Sequence, residues 1–150
     1  MHETTGDIWD YRDKAIIAIT TNGQVTKGGM AVMGRGVAAQ SARLFPHIPA
    51  TLGLLLAGKG NHCHCLGDGI VSFPVEHSPY ELPDLRLIEQ SARELAALAD
   101  ERGWSMIVVP RPGCGGGGLS WMDVRPILER HFDGRFTVIS APWSASANFA

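Results

Sequence analysis

Residues 105–121 read SMIVVPRPGCGGGGLSW, an apolar run followed by a cluster of glycines. The run Met106–Val109 predicts a buried strand, and Ser120 is a typical N-cap for a helix that follows. Between them, five of the six residues after Pro112 are glycine. This order places backbone N–H groups and the positive end of a helix dipole around one point. Because ordered elements bracket the loop, we predict a phosphate or diphosphate site rather than a flexible turn.

The composition fits a single globular domain over residues 1–150, of which 45% are hydrophobic. The formal net charge of −2 argues against an extended nucleic-acid surface. No apolar run reaches the roughly 18 residues of a membrane span, and residues 1–7 lack the features of a secretory signal. Three cysteines, an odd number, fit a reducing compartment better than a disulfide framework. We therefore expect a cytoplasmic protein without membrane contacts.

Strand-like and helix-like segments alternate along the rest of the chain. Strands are predicted at 15–20, 62–66, 69–73 and 135–139, and helices at about 34–44, 51–57, 83–102 and 121–132. Such alternation predicts an α/β protein with three α/β/α layers and a largely parallel sheet. Ligands bind such sheets beyond the carboxyl ends of the strands. We expect three loops to meet there, at residues 22–36, 73–80 and 112–119.

Several familiar motifs are excluded or weakly supported. The glycine cluster lacks the Gly-Lys-Ser/Thr ending of a P-loop. Gly34-Arg35-Gly36 with Ala39 meets a relaxed dinucleotide pattern, but no acidic residue follows at the required distance. His62-Cys63-His64-Cys65 suggests a metal site, yet alternate strand residues point to opposite faces, so four ligands would not converge. We predict neither a metal nor a cofactor.

Three side chains near the predicted site have competing interpretations. Cys114 could be a nucleophile activated by a helix terminus, although a small residue that shapes the loop is favoured. His77 could contact a ligand or be solvent-exposed. Asp7 could accept a hydrogen bond from an exocyclic amine or cap a turn.

Taken together, four segments resemble the motifs of the macrodomain family. They are Gly6-Asp7-Ile8, the strand end Ile19-Thr20-Thr21-Asn22, Met33-Gly34-Arg35-Gly36-Val37-Ala38, and the loop from Pro110 to Trp121. They occur in the family's order and span nearly the whole chain. The chain is most similar to the branch that includes terminal ADP-ribose glycohydrolases and antitoxins that remove ADP-ribose from DNA. The resemblance implies a three-layer fold with a mixed, largely parallel sheet.

The resemblance also implies ADP-ribose as the ligand. Asp7 would bind the adenine amino group, with the Ile8 backbone beside it, and Asn22 would contact the distal ribose. The segment 140–143, ending at Trp143, would flank the adenine. The diphosphate would lie between two sets of residues, Gly34, Gly36 and Val37 on one side and Gly113, Cys114, Gly115, Gly116 and Gly117 on the other.

The family's catalytic residues are missing from this chain. Terminal ADP-ribose glycohydrolases would have a Lys within 70–77 and an Asp at the position of Gly117. The other hydrolytic branch would have an Asn-Ala-Ala-Asn element and an Asp where this chain has Ala38. Asn22 could still orient a water molecule, and His77 or Glu76 could transfer a proton.

Three functions follow as hypotheses. The first is binding of ADP-ribose, free or attached to a macromolecule, through the two glycine-rich loops. The second is hydrolysis of an ADP-ribosyl bond on protein or nucleic acid without the usual Lys and Asp. The third is an unrelated α/β enzyme that binds phosphate.

Overall fold

A computed structural model describes residues 1–116 and 118–142 of the chain, and these residues contain one mixed sheet of six strands. The strands are β1 (His2–Thr5), β2 (Ile16–Thr21), β3 (Cys65–Gly67), β4 (Ile70–Pro74), β5 (Ile107–Pro110) and β6 (Phe136–Ser140). Their order is β1-β6-β5-β2-β4-β3, and every neighbouring pair is parallel except β3 with β4.

Helices cover both faces of the sheet. They are α1 (Val37–Leu44), α2 (Ile48–Lys59), α3 (Leu85–Arg102) and α4 (Trp121–Glu129), with a short 3₁₀ helix at Ile8–Tyr11. Successive residues of β2 point to opposite faces, as strand geometry requires. Ile17 and Ile19 belong to the core that contains Leu52 of α2, whereas Ala18 belongs to the core that contains Leu95 of α3. The predicted three-layer α/β/α fold is therefore confirmed.

The ends of the helices follow the predicted capping chemistry. Ser120 Oγ accepts a hydrogen bond from the Met122 N–H at 3.2 Å and begins α4. Gly103, in the left-handed region at φ 67°, ends α3, as expected for a glycine after the last helical turn. Asp84, which the sequence reading did not single out, caps the start of α3 through the Arg86 N–H.

Three elements differ from the sequence prediction. The sequence does not predict strand β1, because His2–Thr5 is polar. This segment belongs to the sheet through its backbone pairing with β6 at the sheet edge. Helix α2 starts earlier than the predicted residue 51, with a proline in its first turn, where proline is tolerated. The strand predicted at 62–66 begins later, at Cys65, and ends at Gly67, and before it the His64 N–H donates to the Ser72 side chain at 2.8 Å rather than to a strand neighbour's backbone.

Helix α2 lies directly against the loop that leads to α1. A Cβ atom on Gly53 would overlap the carbonyl oxygen of Gly29 and lie 3.1 Å from the amide nitrogen of Ala31. The Ala31 N–H donates to the Pro49 carbonyl at 2.8 Å. This close approach fixes the course of the chain just before Met33–Gly36.

Among the described residues, no helix combines the length and the apolar character that crossing a bilayer requires.

Candidate functional site

A cleft opens at the carboxyl ends of the central strands. Strands β2 and β5 are neighbours in the sheet, but the chain continues from β2 to α1 on one face and from β5 to α4 on the other. The two connections therefore diverge, which is the point where open parallel sheets bind ligands. The ends of β2, β5 and β6 form the floor of the cleft.

Two cavities make up this cleft. One, of about 480 Å³, lies beside Asp7 and Ile8, and the other, of about 1230 Å³, lies between the glycine-rich segments. The two cavities share five lining residues: Val37, Gln40, Pro110, Ile139 and Ala141. Because they share these residues, the cavities adjoin, and we call the two together the groove, with a small end and a large end.

Two glycine loops line the large cavity. We name residues 33–36 the first glycine loop and residues 111–120 the second glycine loop. Gly34 and Gly36 of the first glycine loop line the cavity together with Val37 at the start of α1, and Gly113, Cys114, Gly115 and Gly116 of the second glycine loop line it as well. The predicted contact Gly117 lies outside the described residues. The loop 75–83 also reaches the cavity, through Val75, Glu76, Pro79 and Pro83.

Gly113 has a role in the shape of its loop. Its backbone has a φ of 72°, and a Cβ there would lie 2.8 Å from a methyl carbon of Leu119. Its carbonyl oxygen accepts a hydrogen bond from the Leu119 N–H at 2.9 Å. Glycine is therefore needed at this position to close the second glycine loop.

The small cavity is built on the 3₁₀ helix. Asp7 is exposed and caps this helix, with one carboxylate oxygen 3.0 Å from the Trp9 backbone nitrogen. The Trp9 indole N–H donates to Gln40 of α1 at 2.7 Å, which joins the two sides of the cavity. Asp7 therefore does cap a turn, and its second oxygen extends the acceptor surface of this end. Trp143, predicted to flank the same end, lies outside the described residues.

Asn22 and His77, the two candidate catalytic residues, occupy different places. Asn22 is buried and lines the large cavity, but its amide bonds the Val32 carbonyl and the Gln24 N–H, both at 2.9 Å. This arrangement holds the start of the loop that follows β2. His77 does not line the large cavity, and its imidazole Nε2 lies 3.2 Å from an oxygen of Asp84.

Charged side chains of the cavity include Arg35, which the sequence reading did not single out. Its Nη2 donates to the Gly116 carbonyl at 2.8 Å, from the first glycine loop to the second. Glu76 lies close enough to Arg35 for their charges to interact. Burial raises the pKa of Glu76, and the Arg35 guanidinium offsets part of that increase. The sequence signal that could have identified Arg35 is its place as the one cationic residue of the segment Met33–Gly36.

The thiol of Cys114 is poorly suited to nucleophilic chemistry. Burial raises its pKa to about 11, and the nearby Arg111 only partly opposes that increase. A thiol with this pKa is protonated at neutral pH, whereas the thiolate is the reactive form. Cys114 therefore contributes to the cavity wall by packing, in line with the favoured interpretation.

The His-Cys-His-Cys segment is used for packing and local hydrogen bonds. Cys63 is buried in the core, and burial raises the pKa of its thiol well above the usual value. His62 Nδ1 lies 2.7 Å from Glu94, and His64 Nε2 lies 2.9 Å from the Gly60 carbonyl. In residues 1–116 and 118–142, no group of three or more His, Cys, Asp and Glu side chains is placed to hold a metal ion.

Solved structures with the same architecture are known. The macrodomain of Mycobacterium tuberculosis DarG aligns with 93% of this chain and 98% of its own length, with a TM-score of 0.74 and 24% identity. The chain has the macrodomain fold. The macrodomain of Thermus aquaticus DarG aligns with 94% of this chain and 97% of its own length, with a TM-score of 0.71 and 21% identity.

A third similar structure contains a ligand. It is Thermosipho africanus DarTG in complex with ADP-ribose, of which 40% aligns with 91% of this chain, at a TM-score of 0.73 and 19% identity. No protein-family model and no curated protein sequence matches this chain. The fold implied by the sequence motifs is thus confirmed by structure.

Proposed function

We propose that this macrodomain binds ADP-ribose, either free or attached to a macromolecule. The observation that carries the proposal is the groove of two adjoining cavities, with Asp7 lining its small end and two glycine loops lining its large end. ADP-ribose has the same order of parts: a base, a diphosphate and a second ribose. The similar fold of a protein that was solved with ADP-ribose adds independent support.

The chemistry of each part of the groove fits a part of this ligand. Asp7 offers a carboxylate acceptor to the adenine amino group, with the Ile8 backbone beside it. The glycine loops offer main-chain N–H groups, which bind phosphate oxygens closely because no side chains intervene. Asn22 and Glu76 line the large cavity and not the small one, which puts them at the end that would receive the distal ribose.

Calorimetry with ADP-ribose and with ribose 5-phosphate tests this proposal. We expect wild-type protein to bind ADP-ribose, and Asp7→Asn to weaken that binding by about 10-fold or more, the scale of a hydrogen bond to a charged group. The Asn side-chain oxygen can still accept the hydrogen bond from the Trp9 N–H. The Asn amide nitrogen is a donor, however, so it cannot accept a hydrogen bond from the adenine amino group. Ribose 5-phosphate lacks adenine, so its affinity should not change.

The matched control is Asp10→Asn, an exposed carboxylate on the same 3₁₀ helix that does not line the groove. Its affinity for ADP-ribose should equal that of the wild type. Absence of ADP-ribose binding by the wild-type protein would overturn the proposed function. Equal losses for both ligands in Asp7→Asn would overturn the adenine assignment alone.

One observation favours a second candidate function, hydrolysis of an ADP-ribosyl bond. Glu76 is the only carboxylate among the described residues that line the large cavity. Burial raises the pKa of Glu76, and a carboxylate with a raised pKa is a better base than an exposed one. In this proposal, Glu76 takes a proton from a water molecule whose oxygen bonds to the anomeric carbon of the distal ribose. The bond from that carbon to the macromolecule breaks, the macromolecule leaves with the bonding electron pair, and the proton on Glu76 passes to this departing group.

Release of free ADP-ribose from ADP-ribosylated protein and DNA, measured by chromatography, tests the second function. Glu76→Gln should lower turnover by roughly 10²–10⁴-fold, the usual contribution of a general base, and should leave ligand binding in place. Glu81→Gln, on the same loop but outside the cavity lining, serves as the control and should have wild-type activity. Absence of product with the wild-type enzyme would leave binding as the function.

A further inference from the structure

We propose that the Arg35 side chain is a strap that closes over the ligand's diphosphate and slows its release. The inference rests on the proposed ADP-ribose binding and assigns a specificity-determining role to a residue that the glycine-loop motif leaves variable. Its basis is the position of one side chain across the groove, together with the charges that surround it.

The strap joins the two glycine loops that line the large cavity. Arg35 is anchored on the first glycine loop between Gly34 and Gly36, both of which have a left-handed backbone at φ 61° and 69°. Its guanidinium reaches the second glycine loop, where Nη2 donates to the Gly116 carbonyl at 2.8 Å. A Cβ on Gly116 would lie only 2.6 Å from Arg35 Nε, so the guanidinium packs directly on that glycine.

The shape of the guanidinium allows one side chain to bind the second glycine loop and a ligand at the same time. A guanidinium has five N–H donors in a planar fork, and the bond to Gly116 uses one of them. The other donors of the fork can reach phosphate oxygens, and charge-assisted bonds of this kind are about twice as strong as neutral ones. A lysine ammonium carries the same charge without the planar fork.

The neighbouring charges favour Arg35 as the cation for the diphosphate. Arg111 also lines the cavity, but its guanidinium lies over the Trp121 ring at 4.8 Å and is positioned by that stacking. Glu76, on the loop 75–83, lies close enough to Arg35 for their charges to interact. A bound diphosphate, with two negative charges, would replace this single carboxylate as the main electrostatic partner of Arg35.

The strap should act on release more than on entry. Arg35 is exposed in the structure, so an arriving ligand can displace it into solvent. Once the diphosphate lies between the loops, the bonds to both Gly116 and the phosphates must break before the ligand leaves. Affinity differences among variants of one binding site are mostly differences in dissociation rate.

Stopped-flow binding with Arg35→Gln, Arg35→Lys and wild-type protein tests the strap, with ADP-ribose and adenosine as ligands. In Arg35→Gln, we expect ADP-ribose to dissociate at least about 10-fold faster, with the association rate changed much less. The dissociation rate of ADP-ribose from Arg35→Lys should lie between those from the wild type and from Arg35→Gln. Adenosine has no diphosphate, so its affinity, measured by calorimetry, should be the same in all three proteins.

Arg43→Gln is the matched control, because it removes an exposed arginine from the last turn of α1, outside the cavity lining. Its rates should equal those of the wild type. The strap would be overturned if ADP-ribose dissociated from Arg35→Gln less than about 10-fold faster than from the wild type. It would also be overturned if the affinity loss came from the association rate alone, or if adenosine lost as much affinity as ADP-ribose. These outcomes presuppose that wild-type protein binds ADP-ribose; if it does not, the proposed function itself fails.

Discussion

Replacing Gly115 with glutamate should abolish ADP-ribose binding and leave the fold intact. Gly115 is exposed on the second glycine loop, has no left-handed backbone angle, and would place a Cβ with no heavy atom within 4 Å. A side chain is therefore tolerated, but it would stand at the wall of the diphosphate cavity. Two like charges at about 4 Å repel by roughly 1–4 kcal/mol, and exclusion of the ligand adds to this. We expect an affinity loss of about 100-fold or more.

Calorimetry measures this loss, and circular dichroism with thermal melting checks the fold. Gly58→Glu is the matched control: Gly58 is exposed on α2, its Cβ would also meet nothing within 4 Å, and it does not line either cavity. It adds the same charge and should bind as the wild type does. Unchanged affinity in Gly115→Glu would mean that the diphosphate does not lie against the second glycine loop.

Replacing Gly53 with alanine should destabilise the protein, although the change is a single methyl group. The new Cβ would overlap the Gly29 carbonyl oxygen, a backbone atom that can move only if α2 or its neighbouring loop moves. Overpacking of this kind costs about 1–3 kcal/mol of unfolding free energy, and occasionally more. Urea unfolding followed by circular dichroism measures the loss as a lower midpoint at an unchanged slope.

Gly58→Ala tests whether the cause is the close approach rather than helix propensity. Both glycines lie in α2, but the Cβ of Gly58 is in open space. Alanine there should raise the unfolding free energy by about 0.5–1 kcal/mol, because glycine is the weaker helix former. If Gly53→Ala also raised stability, the contact between α2 and the Gly29 segment would be less close than the structure has it.

The sequence predicts the central strands well because their signal is local. Both β2 and β5 begin with a continuous apolar run, Ile16–Ile19 and Ile107–Val109, as is typical of strands covered on both faces. Strand β1 is different: its exposed polar residues match no periodic pattern, and only its register with β6 places it in the sheet. Strand order likewise depends on contacts between segments distant in sequence, which no local pattern encodes.

Sequence motifs likewise predict some residues of the candidate site and not others. Motifs predict the glycine loops and Asp7 as site residues, because their proposed role depends on backbone geometry that the residue types themselves permit. The proposed Arg35 strap rests on a hydrogen bond to Gly116, 81 positions along the chain, which only the structure brings together. The same holds for His77, whose imidazole turns toward Asp84 rather than into the large cavity.

The divergence of the chain after β2 and β5 has a consequence for how this groove can change. The first glycine loop leads into the layer packed on Leu52, and the second leads into the layer packed on Leu95 and Leu128. Each glycine loop is thus connected to its own hydrophobic layer, and the sheet lies between the two layers. Substitutions within one layer can alter one loop with little change in the packing behind the other, so selectivity can evolve on one side of the groove at a time.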